Sequence, residues 1–278
     1  MKTTLVTAAE LAPHVNEPDW VVFDCRHDLG DPEAGARAYA AGHIHGARFA
    51  HLDRNLSGTK TGSNGRHPLP PREVFVEWLR SQGVDEGGEV VAYDAQGGIY
   101  AARLWWMLRW IGHEAVCVLD GGLQAWQRSG RVLTTAVPAI LPGDIVDRAG
   151  INPVVAAFVE AHLGDKSWRL IDARSPERYR GENETLDPVG GHIPGAVNRY
   201  YADNLDADGR FKSAQQLHAE FSGVLGEVDP RDAVHQCGSG VTAAHNLLAM
   251  EIAGLAGSRL YAGSWSEWYA NPGRPVAL

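Results

Sequence analysis

The chain has 278 residues, 44% of them apolar and 21% charged, the balance of a globular protein long enough for two domains of ordinary size. A formal net charge of −9 without any basic run argues against a nucleic-acid partner, whose phosphates require clustered Lys and Arg. Three widely spaced cysteines without a CxxC pair argue against a disulfide framework or a structural zinc site, and point to a reducing compartment with the cytoplasm as default.

Taken in chain order, the first residues lack a continuous apolar stretch and meet Glu10, a poor signal peptide. No window approaches 18 uninterrupted apolar residues, so no membrane span is expected. Short apolar runs then alternate with helical patterns: strands over 20–24, 89–93 and 115–119, helices over 71–82, 100–111 and 123–128. The stretch 136–150 carries Pro138 and Pro142 and has no periodicity, so it reads as a linker. Asn152-Pro153 looks like an N-cap and first helical residue opening a helix over 154–163. Strands over 168–173, 233–236 and 258–261 follow, with helices near 214–221, 241–253 and 264–269.

The second half repeats the first. Asp24-Cys25-Arg26 is answered by Asp172-Ala173-Arg174, and Gly42-His43-Ile44 by Gly191-His192-Ile193. Gly121 and Trp126 are answered by Gly263 and Trp268. This is a tandem duplication, which predicts a domain over 1–135, a linker over 136–150 and a domain over 151–278. Strand–helix alternation with runs this short predicts an α/β fold, each copy a mainly parallel sheet with helices on both faces.

One stretch stands out for chemistry. The run 233–236 ends at Cys237, then come Gly238-Ser239-Gly240 and a helical pattern from Val241. A thiol at a strand–loop–helix turn faces a helix N-terminus and converging backbone N–H groups, which favour a thiolate. Such sites lie beyond the carboxyl ends of parallel strands. At the spacing shared by the later repeats, Cys237 answers to Ala95 and Gly240 to Gly98. Cys237 is therefore expected to be the nucleophile of one catalytic copy beside a supporting one.

The repeated unit, with both Gly-His-Ile segments, Trp105-Trp106-Met107, Leu119-Asp120-Gly121-Gly122 and Gly263-Ser264-Trp265-Ser266-Glu267-Trp268, resembles the rhodanese-like sulfurtransferase family. The loop Cys237-Gly238-Ser239-Gly240-Val241-Thr242 looks like that of its two-domain 3-mercaptopyruvate sulfurtransferases. The resemblance implies two rhodanese-like domains and a Cys237 persulfide that carries sulfane sulfur from 3-mercaptopyruvate to a thiophilic acceptor, without a cofactor or metal. Thioredoxin, glutathione or cyanide would be such acceptors. It implies a relay of Ser239, His67 and Asp53, with substrate held by Arg178, Tyr100 and the loop residues Gly238, Gly240, Val241 and Thr242. A second arginine usual before the Gly-His-Ile segment is replaced by Glu184-Thr185-Leu186-Asp187, and Arg180 is the candidate to compensate.

Other readings are weighed against these. The alternative donor is thiosulfate, which related enzymes accept with basic residues just after the cysteine; here those positions are uncharged. A phosphatase needs Cys-x5-Arg, but position 243 is Ala, and a Gly-x-Ser-x-Gly hydrolase would need Gly at 237. A non-catalytic sulfur-carrier or binding module is the remaining possibility. Cys25 and Cys117 read as inert core thiols, with Cys25 near enough a strand end to be partly exposed. His43 and His192 recur in both copies and read as loop hydrogen-bonders. His45 lacks companions for a metal site. His235 could tune the thiol or sit buried, His245 reads as structural, and Arg26 and Arg174 as partners of nearby carboxylates.

Overall fold

In a computed structural model of the protein, residues 2–278 are described. The chain divides into two compact units. One comprises the residues up to Gly58 with Leu69–Ile151 and Ala207–Arg210; the other comprises Thr59–Pro68, Asn152–Asp206 and Phe211–Leu278. A segment that belongs by sequence to the first copy is thus built into the second unit.

The first unit is a five-stranded sheet of β1 (Leu5–Val6), β2 (Trp20–Asp24), β3 (Arg48–Phe49), β4 (Glu89–Tyr93) and β5 (Val116–Leu119), in the order β1-β5-β4-β2-β3. Every pairing is parallel. Its helices are α1 (Ala8–Leu11), α2 (Ala34–Ala41), α3 (Arg72–Ser81), α4 (Ile99–Trp110) and α5 (Gly122–Arg128). Strands buried on both faces read as continuous apolar runs, as Val21-Val22-Phe23 and Val90-Val91-Ala92 do. Val22, Val91 and Tyr93 pack with Leu123 and Trp126 of α5 on one side of the sheet. Trp105 and Trp106 of α4 are buried.

The second unit repeats this with four parallel strands, β6 (Arg169–Asp172), β7 (Val197–Asn198), β8 (Ala233–Gln236) and β9 (Arg259–Leu260), in the order β7-β6-β8-β9. Its helices are α6 (Ala156–Ala161), α7 (Pro176–Tyr179), α8 (Ala214–Leu225), α9 (Thr242–Ile252) and α10 (Ser264–Trp268). Leu170 and Val234 pack against Trp265 and Trp268. No helix among the described residues is long and apolar enough to cross a membrane.

Three expectations change. Asn152-Pro153 does not open a helix: α6 starts at Ala156 after Val155, and Val154 donates its N–H to Leu260 O at 2.8 Å. Val154 also forms a parallel bridge with Tyr261, covering the free edge of β9 as β1 covers β5. Edge pairing satisfies a backbone N–H that a helix start would leave open. Residues 136–150 contain no helix or strand, as expected of a linker, but they are strapped to the first unit. Gly143 donates to Arg80 O at 2.8 Å and Arg148 to Ile111 O at 2.9 Å, with Ile145 buried. A side chain at Gly143 would lie 2.1 Å from Val84 O, so the strap needs glycine there.

The third change concerns the repeat itself. The ladders pair Asp24 with Tyr93 and Asp172 with Gln236. Leu123 N–H donates to Asp94 O, and Trp265 N–H to Cys237 O. By these bonds the counterpart of Cys237 is Asp94, not Ala95. The turn itself is one residue shorter in the second copy, between Cys237 and Gly240, so a spacing drawn from the elements after it misplaces Cys237 by one.

Candidate active site

Cys237 leaves the end of β8 and the chain turns at once into α9. Gly240 makes the turn at φ +78°, where a side chain would meet Ala262 O at 2.4 Å. The turn brings the N–H groups of Ser239 and Gly240 to 3.5 and 3.1 Å from Cys237 Sγ. From below, Ser264 Oγ accepts the Cys237 N–H at 3.1 Å and donates to Tyr261 O at 2.9 Å. Ser264 does so from φ +54°, a conformation costly for a residue with a side chain.

The first unit shows what this turn is built to hold. Asp94 Oδ1 accepts N–H groups from Gln96 and Gly98 at 2.8 Å each, and Oδ2 from Tyr100 and Ala101 at 2.9 and 3.0 Å. Burial pushes the Asp94 carboxyl up from its usual range, and the four N–H groups pull in the opposite direction. The turn is an anion seat, occupied in one copy by the chain's own carboxylate and in the other by a cysteine sulfur.

Around Cys237 the second unit supplies a hydroxyl, an imidazole and two guanidinium groups. Buried His67 Nδ1 lies 2.7 Å from Ser239 Oγ. His67 arrives on the Thr59–Pro68 segment, which is pinned where Arg66 N–H donates to Ser266 Oγ at 2.8 Å. Arg178 donates Nε to both oxygens of Glu184, at 3.0 and 2.8 Å, and Nη2 to Asp187 at 2.7 Å. Arg66 Nη1 bonds the other oxygen of Asp187. A side chain at position 238 would meet Arg66 Nη2 at 2.9 Å and Arg178 at 3.4 and 3.5 Å, so both guanidiniums close over Gly238. Burial works to raise the Glu184 carboxyl, but Arg178 and the N–H groups of Leu186 and Asp187 hold it below the usual range.

Arg180, expected to replace the missing arginine, is half exposed and pairs with Glu182 at 2.8 Å. Arg66 stands over the loop instead. Its signal was its place beside His67, but only folding of that segment onto the second unit reveals it. Val241 is buried and Thr242 begins α9.

Asp53 and Tyr100 lie in the first unit. The Asp53 carboxylate is 3.8 Å from His27 Nε2, and the Tyr100 ring meets His27 edge-on at 5.2 Å. His27, His51 and Asp53 are close enough to share a metal ion. However, the Asp53 N–H donates to His51 Nδ1 at 3.1 Å, which puts the proton of a neutral ring on Nε2. In that tautomer Nε2 carries the proton and lies 3.6 Å from Glu33, beyond hydrogen-bond reach.

The remaining candidates are structural. Cys25 is fully buried, not partly exposed, and burial pushes its thiol well above the usual range; Cys117, also buried, is pushed up to about 12. His43 and His192 each stack on a tyrosine, Tyr39 or Tyr179, and bond that residue's carbonyl at 2.8 and 2.9 Å. Buried His235 meets Met250 Sδ at 3.0 Å, and burial lowers its pKa to about 3. His245 stacks on Phe211 and bonds Asn204. Arg26 and Arg174 pair with Asp24 and Asp172.

A model of the rhodanese-like domain matches residues 7–129 and again 155–271. The chain belongs to the rhodanese-like family. Among its relatives, a Pseudomonas aeruginosa protein named "Probable 3-mercaptopyruvate sulfurtransferase" is 48% identical over 98% of this chain and 97% of its own length. The Mus musculus thiosulfate sulfurtransferase is 33% identical over 84% of this chain and 79% of its own. Among solved structures, the 3-mercaptopyruvate sulfurtransferase from Leishmania major superposes with a TM-score of 0.85 at 31% identity, covering 98% of this chain and 75% of that one. The two parallel sheets are thus two rhodanese-like domains.

Proposed function

We propose that this rhodanese-like protein is a sulfurtransferase that moves a sulfane sulfur from 3-mercaptopyruvate to a thiophilic acceptor through a persulfide on Cys237. The observation that carries the reading is an uncharged loop whose N–H groups converge on Cys237 Sγ, with Ser239 Oγ 2.7 Å from His67. The name of the Pseudomonas relative supports the same donor.

In this reading the Cys237 thiolate attacks the donor sulfur, an S–S bond forms, and the C–S bond breaks. The electron pair of that bond goes to carbon, leaving the enolate of pyruvate. The proton lost from the donor sulfur passes through Ser239 and His67 to that carbon, which completes pyruvate and leaves Cys–S–S⁻. Loop N–H groups hold the negative sulfur as the Asp94 cradle holds its carboxylate. Arg66 and Arg178 grip the donor's carboxylate. Asp53 as the group orienting His67, and Tyr100 as a substrate contact, rest on the family resemblance. A thiol such as thioredoxin or glutathione, or cyanide, then takes the outer sulfur. Three unpaired cysteines support a cytoplasmic location.

The test is addition of mercaptopyruvate with pyruvate assayed and the intact mass of the protein recorded. Release of pyruvate with one sulfur gained on Cys237 is expected. A thiosulfate sulfurtransferase is the second reading, supported by the name of the mouse relative. Loading by thiosulfate without pyruvate formation would select it; loading by neither donor would leave a binding module.

A further inference from the structure

We propose that Asp187 sets the charge of the sulfur donor this site accepts, resting on the sulfurtransferase reading. Where the family resemblance calls for a second arginine, this chain carries an acid, and the structure turns that acid into the centre of the anion site. The Asp187 side chain is fully buried, one oxygen on Arg66 Nη1 and the other on Arg178 Nη2. The Tyr269 hydroxyl donates to it at 3.3 Å, and its own N–H donates to Glu184. Glu184 in turn covers Nε of Arg178. Glu184 also lies 3.9 Å from Arg174 Nη1, whose own charge is matched by Asp172, so three guanidiniums and three carboxylates close on one another with no net charge, and the free edges of Arg66 and Arg178 point at Gly238 beside Cys237.

Such an arrangement keeps the geometry of two arginine forks while removing their surplus charge. A donor with one negative charge meets directed hydrogen bonds in a neutral field. A dianion meets the same bonds without the second positive charge it needs to repay its larger desolvation. A buried carboxylate between two arginines is thus a specificity device, and also a spacer that keeps the cations apart when no donor is bound.

The experiment compares thiosulfate, a dianion, with methanethiosulfonate, its monoanionic analogue, as donors to Cys237. Both yield their outer sulfur to the thiolate, releasing sulfite or methanesulfinate, so charge is the main variable. In Asp187→Asn the site gains one positive charge while keeping the side chain's size. At an effective dielectric near 20 the ratio of kcat/KM for thiosulfate to that for methanethiosulfonate should rise about tenfold, mostly through KM. Asp187→Glu keeps the charge and should leave the ratio within about twofold of the parent. An unchanged ratio in a folded Asp187→Asn protein, or an equal rise in Asp187→Glu, overturns the proposal. If Asp187→Asn does not fold, Tyr269→Phe and Glu184→Gln form the second arm. Glu184→Gln also adds one positive charge and should raise the ratio, whereas Tyr269→Phe should not; equal behaviour of the two overturns the proposal. Absence of pyruvate from mercaptopyruvate would sink the proposed reaction while leaving this ratio measurable.

Discussion

The turns after β4 and β8 start from the same register position and differ in what they seat. After β4, four N–H groups close on the carboxylate of Asp94, a fully buried anion with no access to solvent. After β8, two N–H groups point at Cys237 Sγ, and Ser239, His67, Arg66 and Arg178 surround the loop. The first turn has its anion built in; the second has a sulfur that can become one and carry another. The support beneath differs as well. Gly122 sits at φ +55° under Asp94, where a side chain would lie 2.4 Å from Asp94 O, while Ser264 sits at φ +54° under Cys237 and binds its N–H. One copy spends this turn on stability and the other on reactivity.

The largest way to break the comparison is Cys237→Ala. It should abolish sulfur transfer and persulfide mass gain, whereas Cys25→Ala should retain most activity; equal loss in both would move the chemistry elsewhere. A second test uses pH. His235 is neutral in the fold, with its pKa lowered to about 3, while an unfolded histidine takes up a proton near 6.5. Stability is therefore lost as pH falls from about 6.5 towards 3, by something of the order of 5 kcal/mol from this group. By the same register the counterpart of His235 is Ala92, two residues before Asp94, so His235→Leu should flatten acid unfolding, read as Tm against pH. Third, Asp94→Ala orphans four N–H groups and should cost about 3 kcal/mol or more, seen in denaturant unfolding. Persulfide formation on Cys237 should survive at temperatures where that protein is folded.

Smaller effects sharpen the contrast. Ser239→Ala should slow turnover with mercaptopyruvate about 100-fold and with thiosulfate much less, because only the first donor must lose a proton from sulfur. Equal slowing would argue against the relay. Arg180→Ala should change kcat/KM less than about twofold, as expected of an exposed ion pair. A large effect there would return Arg180 to the site in place of Arg66.

Much of this was legible in the residues. Apolar runs bounded by turn residues marked the strands, and Ala233–Gln236 falls where its pattern puts it. The repeat of Asp-x-Arg and Gly-His-Ile marked the duplication, and both arginine pairs and both histidine hydrogen bonds recur as expected, with a tyrosine stacked on each histidine besides. Cys237 stood out as the candidate nucleophile because a cysteine between an apolar run and a glycine loop has few structural uses.

What the linear order could not decide depends on closures between distant residues. Asp94 rather than Ala95 is the counterpart of Cys237 because ladder hydrogen bonds set register, and a one-residue difference inside the turn is invisible to spacing alone. Arg66 joins Arg178 because residues 59–68 fold onto the second unit, where Gly65 approaches Gly263 and Arg66 bonds Ser266. Asp187 reads in sequence as the loss of an arginine, and in three dimensions as the carboxylate that binds two. Sequence by itself determined the elements and the chemistry each residue carries, since propensity, periodicity and side-chain type are local. Tertiary structure alone decided which charges meet, since an ion pair needs its partner within a few ångströms whatever their separation along the chain.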